Sequence, residues 1–277
     1  MHKDFTLKFI DNEPINCTVF YPQDEIIAKT IIFVHGFKGF KDWGFGPYLS
    51  NYLITKGFCV VTFNFSLNGI GSDKLNFTEL DNFARNTISR ELEEIDFLIN
   101  ACNENRFGNF NHCKYGILGH SRGGADSILA AAKNKNIEAV CTWAAISTFD
   151  RYSERQKNDW TAKGYLEMIN ARTKQVMKMN YSYLEDIISK NNNKLNIKDA
   201  VSNLNKPLLI CHGEQDLAVP ISEGELLFEW SNKKFSEFYK IPKAGHTFDI
   251  KHPFEGSNEK FEKLLSKTSD FFTKFLN

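Results

Sequence analysis

The sequence predicts a three-layer α/β fold: a mostly parallel central sheet with helices on both faces. Three observations point to it. From residue 30 to the end, short apolar runs alternate with stretches of helical periodicity, and uniformly apolar runs suit strands buried on both faces of a parallel sheet. The turn Gly119-His120-Ser121-Arg122-Gly123 stands between one such run and a helix. Further acidic and histidine candidates follow later strand ends, and open α/β sheets place their sites at that edge.

The elements follow in order. Phe5–Ile10 and Ile15–Tyr21 alternate around Asp11-Asn12-Glu13-Pro14 and read as an antiparallel hairpin with one wet face. Thr30–Val34, Phe58–Phe63, Lys114–Leu118, Ala139–Ala144, Pro207–Cys211 and Ser236–Ile241 read as strands. A helix is expected over Pro47–Lys56, with Pro near its start and Gly57 past its end. A long one is expected from about Leu80 to Asn103, its stripe set by Phe83, Ile88, Leu92, Ile95 and Ile99. Ser222–Ser231 and Asn258–Phe275 complete the set, beside the helix opened by Arg122.

Residues 148–203 break the rhythm. They are polar, Lys/Asn-rich and strand-free by pattern, with Trp160, Tyr165, Tyr181 and Tyr183 scattered through them. A structureless loop of that length is improbable in a compact domain. We read 1–277 as a single domain and 148–203 as a helical cap insertion within it. Asn191-Asn192-Asn193 reads as a solvated turn.

Composition excludes several classes. The 34 basic and 34 acidic residues cancel, whereas nucleic-acid binding needs a basic face and an electrostatic membrane anchor a polybasic cluster. No apolar run approaches the ~18–20 residues of a membrane span. The first residues, Met1-His2-Lys3-Asp4-Phe5, lack the apolar stretch of a signal peptide. The six cysteines form no C-x-x-C pair and read as buried free thiols of a reducing compartment. A cytoplasmic protein with no metal site is expected. The 25 phenylalanines read as core.

The chemistry concentrates at Ser121. A Gly-x-Ser-x-Gly between strand and helix forms a nucleophile elbow. Large neighbours would collide in so tight a turn, which explains the flanking glycines, and a helix N-terminus points at whatever the hydroxyl attacks. A serine hydroxyl needs a base, and the base needs a third group to orient it. His246, in Ala244-Gly245-His246-Thr247 after the last strand, is the base candidate. Asp216, in Gly213-Glu214-Gln215-Asp216-Leu217, is the acid candidate, with Glu214 and Asp150 as alternatives. The Arg122 and Phe37 backbone N–H groups are the candidate oxyanion donors, and Gly36 lets the backbone turn toward the site. His35 and His212 read as structural, His252 as surface, and His120 as a non-catalytic elbow position.

These segments resemble the α/β-hydrolase family. His35-Gly36-Phe37, Gly119-His120-Ser121-Arg122-Gly123, Gly213-Glu214-Gln215-Asp216 with Val219-Pro220, and Gly245-His246 occur in the family's order. The resemblance spans about residue 15 to 275 and is nearest to the serine carboxylesterases and dienelactone-hydrolase-like proteins. A Ser at 121 differs from the Cys of true dienelactone hydrolases and from the Asp of haloalkane dehalogenases. The stretch Phe63–Ser72 departs from the Asp-x-Arg-Gly pattern common after the fourth strand. The resemblance implies a serine esterase acting on short or aromatic acyl esters through an acyl-enzyme, without metal or organic cofactor. Gly36, Asn68 and Trp160 are expected near substrate. A serine peptidase and a non-catalytic binding protein of the same fold are the rival readings. The expected partner is a small-molecule ester; a homodimer stays open.

Overall fold

The computed structural model describes residues 1–23, 27–110, 112–191 and 193–277. In chain order its elements are β1 (His2–Lys8), β2 (Pro14–Phe20), β3 (Lys29–Val34), α1 (Gly46–Ile54), β4 (Cys59–Phe63), α2 (Leu80–Arg85), α3 (Ile88–Asn103), β5 (Lys114–His120), α4 (Arg122–Lys133) and β6 (Ile137–Trp143). Then come α5 (Glu154–Lys163), β7 (Tyr165–Ile169), β8 (Val176–Asn180), α6 (Tyr181–Lys190), α7 (Ile197–Ser202), β9 (Leu208–Gly213), α8 (Ile221–Trp230), β10 (Ser236–Ile241) and α9 (Glu259–Phe275).

Eight strands form one sheet in the order β1-β2-β4-β3-β5-β6-β9-β10. The β1–β2 and β2–β4 pairs are antiparallel, and all pairs from β4 through β10 are parallel. Successive side chains of a strand point to opposite faces, and the core divides accordingly. Ile32, Val34, Ile117, Val140 and Ile210 join the cluster that includes Ile95 of α3, Ile128 of α4 and Leu227 of α8. Ile31, Phe33, Leu118, Cys141 and Leu209 join Leu49 of α1 and Phe261 and Phe272 of α9 on the other face. Gly116 lets α9 approach this closely: a Cβ there would lie 2.5 Å from the Phe272 ring.

The strand order also places the site. The chain leaves β3 toward β4, then crosses back to β5 on the other side of β3. This reversal opens a crevice beyond the C-terminal ends of β3 and β5. The loop after β3 and the turn after β5 face each other across it.

Three expectations need correction. The single helix over 80–103 is two, because Asn86 and Thr87 take extended backbone and the Thr87 side chain caps α3 by accepting the Arg90 N–H. Asx and Thr side chains that bond locally compete with helix propagation. The insertion is not strand-free: besides α5, α6 and α7 it carries the antiparallel hairpin β7–β8. Its alternation rests on Met177 and Met179, both buried, opposite exposed Lys178, so the inward face is carried by flexible thioethers rather than β-branched residues. Gln175 ties the hairpin to the main domain by donating to the Phe77 carbonyl at 2.9 Å. His252 is half-buried rather than a surface residue: its ring stacks on Trp43 and its Nδ1 accepts the Gly44 N–H at 2.9 Å. Asn192, at the centre of the expected Asn-rich turn, lies outside the described residues. Removing the α3 cap with Thr87→Ala should cost about 1 kcal/mol in urea unfolding; no change would show that the break is held by packing alone.

Candidate active site

Ser121 sits between β5 and α4 with φ 58° and ψ −122°. A non-glycine residue there is strained, at about 1–3 kcal/mol, and the surrounding backbone holds it. Its N–H donates to the Trp143 carbonyl at 2.8 Å and its carbonyl accepts from Gly124 at 3.0 Å. The flanking glycines are needed for close approach. A Cβ on Gly119 would lie 2.0 Å from the Gly123 oxygen, and one on Gly123 would lie 2.4 Å from the Val34 oxygen.

Across the crevice, His246 Nε2 lies 3.1 Å from Ser121 Oγ and its Nδ1 lies 2.7 Å from Asp216 Oδ2. A carboxylate only accepts, so Nδ1 carries the hydrogen and Nε2 is left to accept the serine proton. Asp216 is buried. Burial pushes its carboxyl upward, but hydrogen bonds from His212, His246 and the Val219 N–H outweigh that and hold it well below the usual carboxylate range. Its other oxygen, Oδ1, accepts the N–H groups of Ala218 and Val219, both at 2.9 Å. Of the alternative acids, Glu214 is exposed and Asp150 pairs with Lys157 at 2.6 Å.

Two further histidines fix the loops around this chain of contacts. His120 Nε2 donates to the His246 carbonyl at 2.9 Å. Burial, reinforced by His246, lowers its pKa to about 3, so it stays neutral beside the His246 ring. His35 bonds the Gly36 carbonyl through Nδ1 at 3.0 Å and receives the Phe65 N–H at 3.4 Å. Burial lowers its pKa to about 4. His212 likewise holds its own loop, bonding the Val219 carbonyl at 2.8 Å.

The Phe37 and Arg122 N–H groups have no hydrogen-bond partner among the described residues. Gly36 packs directly on Ser121, since a Cβ there would come within 2.9 Å of Ser121 Cβ. The side chains of these donors also meet. The Arg122 guanidinium lies 4.7 Å from the Phe37 ring centroid, and that ring packs on Phe83. Arg122 is buried and pairs with buried Glu91 of α3 at 2.5 Å. Burial drives the carboxyls of Glu91 and Asp126 upward, and the nearby Arg122 charge opposes that rise in both. Tyr183 of α6 lies against the same arginine. This buried cluster was not legible in the sequence, because nothing local to Glu91 or Asp126 marks either as buried.

Beside Ser121 and His246 opens a cavity of about 170 Å³. Its wall is the loop after β3, with Phe37, Phe40, Trp43 and Phe45. Asn68 and Trp160 are not in its lining. Asn68 faces a separate hollow beside Ser66 and Glu79, and its Oδ1 accepts the Ile70 N–H at 3.0 Å. Trp160 is fully buried inside the insertion, between Tyr152 and Tyr183. Tyr152, Trp160 and Tyr183 pack on one another, and the aromatic wall comes instead from residues 37–45, a density of rings visible in the sequence.

Two measurements follow. Arg122→Met leaves two buried carboxyls without their cation and should cost about 3–5 kcal/mol by chemical denaturation; a loss under about 1 kcal/mol would show the cluster to be solvated. A histidine whose folded pKa is depressed contributes stability that is complete above its unfolded pKa and lost as pH falls toward the folded one. The stability of the wild type relative to His120→Gln should therefore fall by up to about 1.4 kcal/mol per pH unit on acidification from about pH 6.5 toward pH 3. A flat difference would contradict a neutral, buried His120.

No curated protein matches the chain in sequence. Solved structures match along its whole length. Est1E from Butyrivibrio proteoclasticus, solved with ferulic acid bound, aligns at 20% identity over 98% of this chain and 99% of its own, with a TM-score of 0.72. The esterase domain of a Rhodothermus marinus protein aligns at 18% identity over 100% of both chains, TM-score 0.62. Dienelactone hydrolase from Anabaena variabilis aligns at 15% identity over 100% and 99%, TM-score 0.62. At such identities the likeness establishes the fold, that of the α/β hydrolases. Residues 48–277 match the model of the prolyl oligopeptidase family, and the chain, with its serine-hydrolase-type α/β fold, belongs to that family.

Proposed function

We propose that the protein is a serine esterase that cleaves carboxylic esters of short or aromatic acyl groups through an acyl-enzyme. The observation that carries this reading is the unbroken line of hydrogen bonds from Ser121 Oγ through His246 to Asp216, 3.1 and 2.7 Å long. Ser121 attacks the acyl carbon while His246 Nε2 takes its proton. Asp216 holds the imidazole in the tautomer that can accept and stabilises the imidazolium that forms. The oxygen of the tetrahedral intermediate takes hydrogen bonds from the Phe37 and Arg122 N–H groups. His246 then returns the proton to the leaving alcohol, and water, activated by the same imidazole, releases the acid. No step calls for a metal or an organic cofactor.

The cavity supports the substrate class. An apolar space of about 150 Å³ holds a benzene ring, so 170 Å³ suits one ring or a short acyl chain against the 37–45 aromatics. The ferulic acid in the similar Est1E structure supports the same choice.

A serine peptidase is the second reading, favoured by the family's name. Gripping a peptide's amino terminus takes a carboxylate near the site. No carboxylate lines the cavity among the described residues. Glu154 and Glu167 are exposed and paired with Lys157 and Lys178, and Glu185 is exposed on α6.

The expected outcome is turnover of 4-nitrophenyl butyrate and of feruloyl esters, with little on aminoacyl-4-nitroanilides. Ser121→Ala should lower kcat by about 10⁶ and Asp216→Asn by about 10⁴, with unfolding midpoints close to wild type. Anilide cleavage exceeding ester cleavage would favour the peptidase, and Ser121-independent turnover would overturn the mechanism.

A further inference from the structure

The cavity wall holds one formal charge that the mechanism does not use. Among the described residues, Lys38 is the only lining residue with a charged side chain, apart from histidines of which His35 and His120 stay neutral. Among the described residues it makes no salt bridge, and its ammonium lies 5.5 Å from the Phe37 ring centroid. Burial lowers its pKa, with no carboxylate opposing the shift. The next lysine in the loop is handled differently. Lys41 is buried too, but it is paired with Asp42 at 2.6 Å and bonded to Thr18 at 2.8 Å.

The backbone adds an independent observation. Residues 36–39 form a turn closed by Gly39 N–H donating to the Gly36 carbonyl at 2.9 Å. Lys38 occupies its third position with φ 55°, where glycine or asparagine is the comfortable residue. The same turn carries the Phe37 N–H and the Gly36 backbone that packs on Ser121. A long cation is thus held, against its backbone preference, within one turn of the reacting carbonyl, half withdrawn from water and without a counter-ion among the described residues. A partly desolvated charge of this kind is best offset by a charged partner, and among the described residues only the Phe37 ring faces it.

We propose that Lys38 determines specificity by pairing with an anionic group on the substrate, a carboxylate a few bonds from the scissile ester. This deepens the esterase reading and rests on it. The aromatic wall takes the apolar part of the acyl or alcohol group, and the ammonium takes its negative end as a charge-assisted hydrogen bond. Neutral esters fill the same cavity but leave the cation unpaired.

Two matched pairs of esters test this and show which side of the ester bears the charge. Comparing 4-nitrophenyl hemiglutarate with 4-nitrophenyl butyrate places a carboxylate on the acyl side. Comparing 3-carboxyphenyl butyrate with 3-carbamoylphenyl butyrate places it on the leaving group. After subtraction of uncatalysed hydrolysis, one pair should give an anionic-to-neutral kcat/KM ratio of about ten or more at low salt, shrinking as ionic strength rises. Lys38→Met and Lys38→Gly should bring that ratio to about one, while Lys38→Arg keeps most of it. Glycine suits the left-handed backbone at 38, so its loss of preference is not a folding defect. Wild-type ratios near one in both pairs, or a ratio that survives both uncharged variants, overturn the proposal. If no ester is turned over in a Ser121-dependent way, the esterase reading fails and this proposal with it. Ser121-dependent turnover of neutral esters without an anionic preference defeats this proposal alone.

Discussion

The Asp216 carboxylate is buried yet ionised, and the site's geometry depends on how that is achieved. Taking a carboxylate out of water is costly unless donors replace the lost solvent. Here the donors are the Ala218 and Val219 N–H groups on one oxygen and His246 on the other, with His212 close by. Two are backbone groups of the loop that carries the acid, so that loop itself fixes the acceptor His246 meets. His246 meets a fixed acceptor on Nδ1, which decides its tautomer, its ring orientation and its reach toward Ser121. The His120 hydrogen bond to the His246 carbonyl holds the loop that carries the imidazole.

The other half of the geometry is backbone strain at Ser121, made tolerable by crowding. The chain turns from β5 into α4 with Ser121 at positive φ. Three nearby glycines let carbonyls and strand ends come closer than any side chain allows. Strained residues of this kind persist where the surroundings over-determine them. The strand reversal between β4 and β5 puts this turn opposite the loop after β3, so Phe37 and Ser121 meet although 83 residues of chain lie between them. The stacking of Arg122 on Phe37, anchored by Glu91, joins the two loops a second time.

Much of this was legible in the sequence, for local reasons. The strands of the parallel sheet are continuous apolar runs, and Ser121, Asp216 and His246 each follow one, beside small residues that announce tight turns. The break before α3 was also locally encoded, in Asn86 and Thr87, but the apolar stripe running through both helices concealed it. The β7–β8 hairpin was hidden by its methionines and charges, since period-2 alternation is weak without β-branched residues. What remained out of reach is non-local. Nothing near Glu91 or Asp126 says that both lie buried against Arg122, and nothing near Trp160 says that Tyr152 and Tyr183 enclose it. Nothing local sets Lys38 apart from Lys41; the cavity around it and the lack of a paired carboxylate among the described residues distinguish the two.

The hydroxyl of Ser121, made reactive by an imidazole and steered by a buried carboxylate, is the point on which the functional account rests. Labelling of the folded protein with a fluorophosphonate, followed by peptide mass mapping, tests it most directly. The account predicts stoichiometric phosphonylation on the peptide containing Ser121, none when that residue is Ala, and little when His246 is replaced by Gln. A folded wild-type protein that stays unlabelled, or that carries the label on another residue, would contradict it.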